Sequence, residues 1–216
     1  MMPTLQDGPP ADEAGASAIL IHGRGASASS MLHLAEAIDV SGVHYRAPEA
    51  PTRSWYPNSF LAPLEANEPG IENGLATIQS TIDALRDEGV DEHRIFLIGF
   101  SQGACLASEF VARHPRRYGG VVVLSGGLIG NVQRRDADPP DDKGFEYQGS
   151  LMDTPVFVGC SDVDAHVPVE RVHKTAGVLG ELGGDVDLRI YEGVGHTVND
   201  DELKAVRQML RTASDG

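Results

Sequence analysis

The sequence predicts an α/β fold in which a mainly parallel β-sheet is covered by helices on both faces. Two observations lead to this prediction. Short β-branched runs recur along the chain, and segments with the period of a helix lie between them. The runs are mostly apolar, as expected for strands that are buried on both faces. The six predicted strands lie at residues 17–21, 43–47, 94–99, 119–124, 154–159 and 186–191.

The spacing of apolar residues predicts the helices. From Ile71 to Leu85, apolar side chains recur every three or four residues, which places them on one helical face that ends before Gly89. Similar stripes predict helices near residues 31–38, 169–179 and 203–210. We interpret these stripes as core. If the first strand lies between the second and the third, the strand order is 2-1-3-4-5-6, and ligands bind where this order reverses across the sheet.

The length of 216 residues fits one domain better than two. We expect residues 15–216 to form this domain and residues 1–14 to form a flexible N-terminal tail. Residues 48–70 contain five prolines together with aromatic side chains, so this segment could line a pocket. Residues 131–150 are polar and charged and are predicted to form a solvated loop.

Composition excludes several classes of protein. A formal charge of −15, from 32 acidic and 17 basic residues, argues against nucleic acid or an anionic membrane as a partner. The two cysteines cannot form a disulfide framework, so a reducing, cytoplasmic location fits best. No apolar run approaches the ~18 residues of a membrane span, and no secretory signal is visible. The acidic surface fits either adaptation to high salt or an ordinary acidic enzyme.

A candidate nucleophile lies in the segment Gly99–Phe100–Ser101–Gln102–Gly103. It follows a predicted buried strand and precedes a predicted helix, which is the context of a G-x-S-x-G nucleophile elbow. A serine on such a sharp turn has strained backbone angles, and glycine two positions to either side lets the chain segments pass closely. We therefore predict Ser101 as the nucleophile, whereas a glycine-flanked serine outside this context is usually a simple turn.

A serine hydroxyl needs a base and an orienting carboxylate, which follow it along the chain in hydrolases of this type. His196 lies in a glycine-rich loop between the last predicted strand and the last helix, and is the best candidate base. His114 and His173 lie in helical segments, and His166 lies too near the candidate acids. Both Asp162 and Asp164 follow the next-to-last strand and are available as the acid.

Two backbone amides are predicted to form an oxyanion hole. One is the amide of Gln102, directly after the nucleophile, and the other is that of Arg24 in the Gly23–Arg24–Gly25 turn after the first strand. His22 is expected to support this turn by hydrogen bonding. No His or Cys pair has the spacing of a zinc site, so we expect neither a metal nor a cofactor.

These residues resemble the phospholipase/carboxylesterase family of the α/β-hydrolase superfamily, which includes bacterial carboxylesterases and acyl-protein thioesterases. The matching segments are Leu20–Gly23, Gly99–Ala104, Asp164 four residues before Pro168, and Gly195–His196. The resemblance implies an α/β-hydrolase fold with no separate lid domain, and with Ser101 as nucleophile, Asp164 as acid and His196 as base.

The chain also departs from the pattern of this family. Cys160–Ser161 stands where His-Gly is common, and Arg24 stands where an apolar residue is usual. These departures leave the identity of the substrate open.

We therefore expect a serine hydrolase that cleaves small or short-chain carboxylic esters through an acyl-enzyme. Trp55, Tyr56 and Phe60 are predicted to shape the substrate pocket, with loop anchoring as the alternative. A thioesterase or lysophospholipase shares the same chemistry, and a non-catalytic ligand-binding protein of the same fold is a further alternative. The expected partner is a small-molecule ester, and a homodimer is one of the assemblies that the sequence leaves open.

Overall fold

The computed structural model describes residues 3–130 and 144–214 and contains a seven-stranded sheet. The strands are β1 (Thr4–Asp7), β2 (Ala16–Ile21), β3 (Val43–Pro48), β4 (Ile95–Phe100), β5 (Gly120–Leu124), β6 (Pro155–Ser161) and β7 (Asp185–Tyr191). Their order across the sheet is β1-β3-β2-β4-β5-β6-β7. The strands from β2 to β7 pair in parallel, and β1 pairs antiparallel with β3.

In the described residues, five α-helices cover the two faces of this sheet. They are α1 (Ala28–Ile38), α2 (Gly70–Asp87), α3 (Gln102–Arg113), α4 (Val169–Glu181) and α5 (Asp200–Ser214). Helices α2, α3 and α4 pack in one apolar core with Ile19 and Ile21 of β2, whereas α1 and α5 pack in a second core with Leu20. Because neighbouring strand residues point to opposite faces, both faces of β2 are buried.

The predicted strands and their relative order are confirmed, but the prediction is one strand short. Residues 1–14 were expected to form a flexible tail, yet Thr4–Asp7 extend the sheet as β1. Backbone pairing holds this strand, from Thr4 opposite Pro48 to Asp7 opposite Tyr45. Its Leu5 side chain is 45% exposed. The strand therefore lacks the buried apolar pattern by which a strand is predicted from sequence.

The topology brings several loops together at one edge of the sheet. Strand β2 lies between β3 and β4, so the strand order reverses there, as predicted for the binding edge. Of the loop predicted at residues 131–150, residues 131–143 lie outside the described part of the chain. Within the described ranges, no helix is both long and apolar enough to cross a bilayer.

Candidate active site

Ser101 stands on a strained turn between β4 and α3. Its backbone angles, φ 55° and ψ −119°, are unusual for a residue with a side chain. The Ser101 amide donates to the Leu124 carbonyl oxygen at 2.9 Å, which ties the turn to β5. The N-terminus of α3 begins directly after the serine, so the helix dipole favours negative charge next to Ser101.

The glycines on either side of Ser101 are required by close backbone packing. A Cβ atom at Gly99 would lie 2.4 Å from the Gly103 carbonyl oxygen. A Cβ atom at Gly103 would lie 2.0 Å from the Ile21 carbonyl oxygen of β2. Both distances are shorter than real Cβ contacts, and both neighbours are backbone atoms. The steric reason inferred from the sequence for the G-x-S-x-G spacing therefore holds in this chain.

The structure brings Ser101, His196 and Asp164 into one hydrogen-bonded chain. The Ser101 Oγ lies 2.9 Å from His196 Nε2, and His196 Nδ1 lies 2.7 Å from Asp164 Oδ2. A carboxylate accepts hydrogen bonds, so the proton of the neutral imidazole lies on Nδ1. Nε2 is then free to accept the serine proton. This is the geometry that general-base activation of a serine requires.

Asp164 is held as an ionised, buried acceptor. Its side chain is 0% exposed, and Oδ1 accepts the amides of His166 at 2.8 Å and Val167 at 3.1 Å. Burial alone would raise the pKa of Asp164, but hydrogen bonds from the His196 ring and these amides outweigh it and lower the pKa below its ordinary value. The carboxylate therefore keeps its charge at neutral pH and orients the imidazole.

Asp162, the alternative acid, contacts the histidine loop instead of the histidine ring. Its Oδ1 accepts the Gly193 amide at 2.8 Å. Next to it, Ser161 Oγ accepts the Gly195 amide at 3.0 Å. Both side chains therefore brace the loop that carries His196. The sequence interpretation missed Ser161, although the departure at Cys160–Ser161 marked the position.

Of the two amides predicted for the oxyanion hole, that of Gln102 is at the first residue of α3 and that of Arg24 is in the loop after β2. Gly23 packs so closely that a Cβ atom there would lie 3.2 Å from Ser101 Cβ. In the described part of the chain, the amide nitrogens of Arg24 and Gln102 donate to no protein acceptor. Gly25, by contrast, uses its amide to bond the Arg53 carbonyl oxygen at 2.7 Å. The Arg24 and Gln102 amides are therefore available to a ligand.

His22 supports this turn, as expected from the sequence. It is fully buried, its Nε2 accepts the Ala50 amide at 3.0 Å, and its Nδ1–H therefore donates to the Gly23 carbonyl oxygen at 2.7 Å. Trp55 Nε1–H donates to the His22 carbonyl oxygen at 2.8 Å. The Gln102 side chain completes the support, because its Oε1 accepts the Trp55 amide at 3.0 Å.

A cavity of about 460 Å³ opens at the Ser101–His196 pair. Tyr56 and Phe60 line it, whereas Trp55, which was predicted with them, is not among its described lining residues. Trp55 is 4% exposed and anchors the loop, because its indole N–H needs a buried acceptor and finds one at His22. The prediction of Trp55 as a substrate contact is therefore corrected.

Cys105 also lines this cavity but is a poor nucleophile. Burial, the largest cause, raises the pKa of its thiol to about 12. At neutral pH the group is therefore a thiol, and the thiolate is the reactive form. Ser101, with a base at hydrogen-bonding distance, remains the candidate nucleophile.

Neither a second cavity nor a metal-binding cluster gives an alternative candidate site in the described residues. A larger cavity of about 900 Å³ lies where β6 and β7 begin, at the opposite end of the sheet, and its lining includes Pro155 and Asp185 but no member of the Ser101–His196–Asp164 chain. Across the described residues, no group of three or more His, Cys, Asp or Glu side chains is placed to hold a metal ion.

Comparison with known proteins shows the family of the chain. Residues 8–214 match the model of the Phospholipase/Carboxylesterase family. The chain belongs to this family. It is therefore a hydrolase of the α/β-hydrolase fold.

This phospholipase/carboxylesterase is similar to curated relatives and solved structures over nearly its whole length. The crystal structure of a phospholipase/carboxylesterase from Dyadobacter fermentans is 32% identical, has a TM-score of 0.88, and covers 98% of this chain and 97% of its own. An acyl-protein thioesterase 1 from Kluyveromyces lactis is 27% identical over 90% of both chains. A Bacillus cereus carboxylesterase structure, with a TM-score of 0.74 at 19% identity, shares the fold and covers 99% of this chain and 95% of its own.

Proposed function

We propose that this chain hydrolyses small or short-chain carboxylic esters through an acyl-enzyme on Ser101. The observation that supports the proposal most strongly is the continuous hydrogen-bonded chain from the Ser101 hydroxyl through His196 to the buried Asp164 carboxylate. A cavity opens at Ser101 and His196. Its volume of about 460 Å³ lies within the usual range for small-molecule sites, ~300–1,000 Å³.

The proposed reaction has two steps. Ser101 Oγ attacks the ester carbonyl carbon while His196 Nε2 takes the hydroxyl proton, and the Arg24 and Gln102 amides stabilise the tetrahedral oxyanion. His196 then returns the proton to the departing alcohol. Water, activated by the same histidine, hydrolyses the acyl-enzyme and regenerates the serine. Asp164 keeps the imidazole in the required tautomer and stabilises its protonated form.

The test compares Ser101→Ala with Ser80→Ala on p-nitrophenyl acetate. Ser80 is an exposed serine of α2, so its loss should leave turnover near that of the unchanged protein. Ser101→Ala should lower kcat by about 10⁴-fold or more, as loss of a triad nucleophile does. A sulfonyl fluoride should label Ser101 and abolish hydrolysis. Wild-type turnover in Ser101→Ala would end the proposal, and absence of both labelling and hydrolysis would favour a non-catalytic ligand-binding role.

Thioester hydrolysis is a second candidate, because several curated relatives, including the Kluyveromyces lactis protein, are acyl-protein thioesterases. The chemistry at Ser101 is the same, and the leaving group differs. A comparison of kcat/KM for an oxygen ester and a thioester with the same acyl chain separates the two. Acyl chains of increasing length in the same assay would test for lysophospholipase-like substrates.

A further inference from the structure

Arg24 brings a positive charge to a catalytic cavity whose described lining residues include no Asp or Glu. The chain as a whole has 32 acidic and 17 basic residues, so this local charge opposes the overall balance. The Asp164 carboxylate, which accepts from His196, has a fully buried side chain and is engaged by the His196 ring and two amides. As far as the described residues form it, the accessible face of the cavity is therefore positive in an acidic protein.

The partners of the Arg24 guanidinium are neutral. Nη1 donates to the Pro57 carbonyl oxygen at 2.7 Å and to Ser54 Oγ at 3.2 Å, and Nη2 donates to the Asn58 carbonyl oxygen. Among the ion pairs of the described residues, none includes Arg24. Carbonyl and hydroxyl oxygens orient a guanidinium but do not cancel its charge, so the charge remains available to a ligand.

These same contacts hold the guanidinium in one orientation. It lies over the ring of Tyr56, 5.8 Å from the ring centre, and its three bonds connect it to the turn at residues 54–58. A guanidinium has five N–H donors, so donors remain for the oxygens of an anion. A cation that is already ordered loses little side-chain entropy when an anion binds.

We propose that Arg24 selects ester substrates that carry an anionic group, a carboxylate or a phosphate, close to the scissile ester bond. The proposal rests on the proposed ester hydrolysis at Ser101. Because the Arg24 amide is also a proposed oxyanion donor, the side chain starts at the residue that contacts the reacting carbonyl. The recognised charge is therefore near the ester on either its acyl or its alcohol side.

The experiment measures kcat/KM for matched charged and neutral esters with Arg24→Gln. The acyl-side pair is mono-p-nitrophenyl glutarate and p-nitrophenyl valerate, and the alcohol-side pair is meta-acetoxybenzoate and its methyl ester. The ratio of kcat/KM for the charged ester to that for the neutral ester should fall about tenfold in at least one pair, because the substrate loses a charge-assisted partner. Any general loss of activity from a disturbed turn lowers both members and cancels in the ratio.

Two further variants complete the design. Arg24→Lys keeps the charge and should retain most of the ratio. Arg211→Gln makes the same change in net charge at an exposed position on α5 and should leave the ratio unchanged. An equal loss for charged and neutral esters in Arg24→Gln would overturn the inference, because Arg24 would then only hold the turn. If the unchanged protein hydrolyses none of the four esters, the proposed function fails instead.

Discussion

Glu202, at the start of α5, is a buried carboxyl group whose titration should destabilise the fold near neutral pH. It is 1% exposed, and its Oε2 accepts the Asn199 amide at 2.8 Å while Asn199 Oδ1 accepts the Glu202 amide at 3.1 Å. A Cβ atom at Gly159 would lie 2.3 Å from Glu202 Oε1, so the carboxyl group packs against β6. Burial raises the pKa of Glu202 to about 7, with a smaller contribution from the charge of Asp201.

The sign of the effect follows from the two pKa values. The pKa of Glu202 is about 7 in the folded protein and 4.5 in its ordinary, unfolded environment, so the folded state binds the proton more tightly. The contribution of Glu202 to stability is therefore complete below pH 4.5 and is lost as the pH rises through 7. The full loss is ~3 kcal/mol, and most of it falls between about pH 5 and about pH 8.

Glu202→Gln removes this titration and keeps an oxygen that can accept the Asn199 amide. We measure the free energy of unfolding with urea at about pH 5 and about pH 8. We expect it to fall between these values by ~2–3 kcal/mol less in Glu202→Gln than in the unchanged protein. Groups with the opposite sign, such as Asp164, are the same in both proteins and cancel in the comparison. Glu192→Gln alters an exposed carboxyl group and should follow the unchanged protein. Parallel pH profiles for Glu202→Gln and the unchanged protein would refute the reasoning.

Two further predictions concern the geometry of the site. Ser161→Gly removes the acceptor of the Gly195 amide, so we expect the histidine loop to loosen and kcat to fall by about three- to tenfold, with a smaller change in KM, in steady-state kinetics. A change in KM alone would show that Ser161 does not position the base. Gly103→Ala forces a Cβ atom to within 2.0 Å of the Ile21 carbonyl oxygen and should destabilise the fold by more than ~3 kcal/mol or prevent folding, as seen in thermal unfolding. Its control is Gly177→Ala in α4, where a Cβ atom meets nothing within 4 Å and should stabilise the helix by up to ~1 kcal/mol; equal stability of both variants would contradict the steric argument.

The elements that the sequence predicts well are those that local pattern determines. Buried parallel strands are apolar throughout, and Ser101 is recognisable because a strand precedes it and a helix follows it. Strand β1 has no such pattern, because it is held by hydrogen bonds to β3 and does not have a buried apolar face. The role of Trp55 was equally open, since an aromatic residue in a loop can face a ligand or the core. Its hydrogen bond to His22 decides between them, and that contact spans 33 residues.

The loop after β6 links the position of the acid to that of the base. Parallel strands deliver their carboxyl ends to one edge of the sheet, so this loop and the histidine loop after β7 are neighbours. Asp164 orients the His196 ring, while Asp162 of the same loop and Ser161, the last residue of β6, accept the amides of Gly193 and Gly195. A single segment therefore sets the carboxylate, the imidazole and the loop that carries the imidazole. The contacts between these two loops could not be predicted from a sequence motif, because they form only where the folded chain brings the loops together.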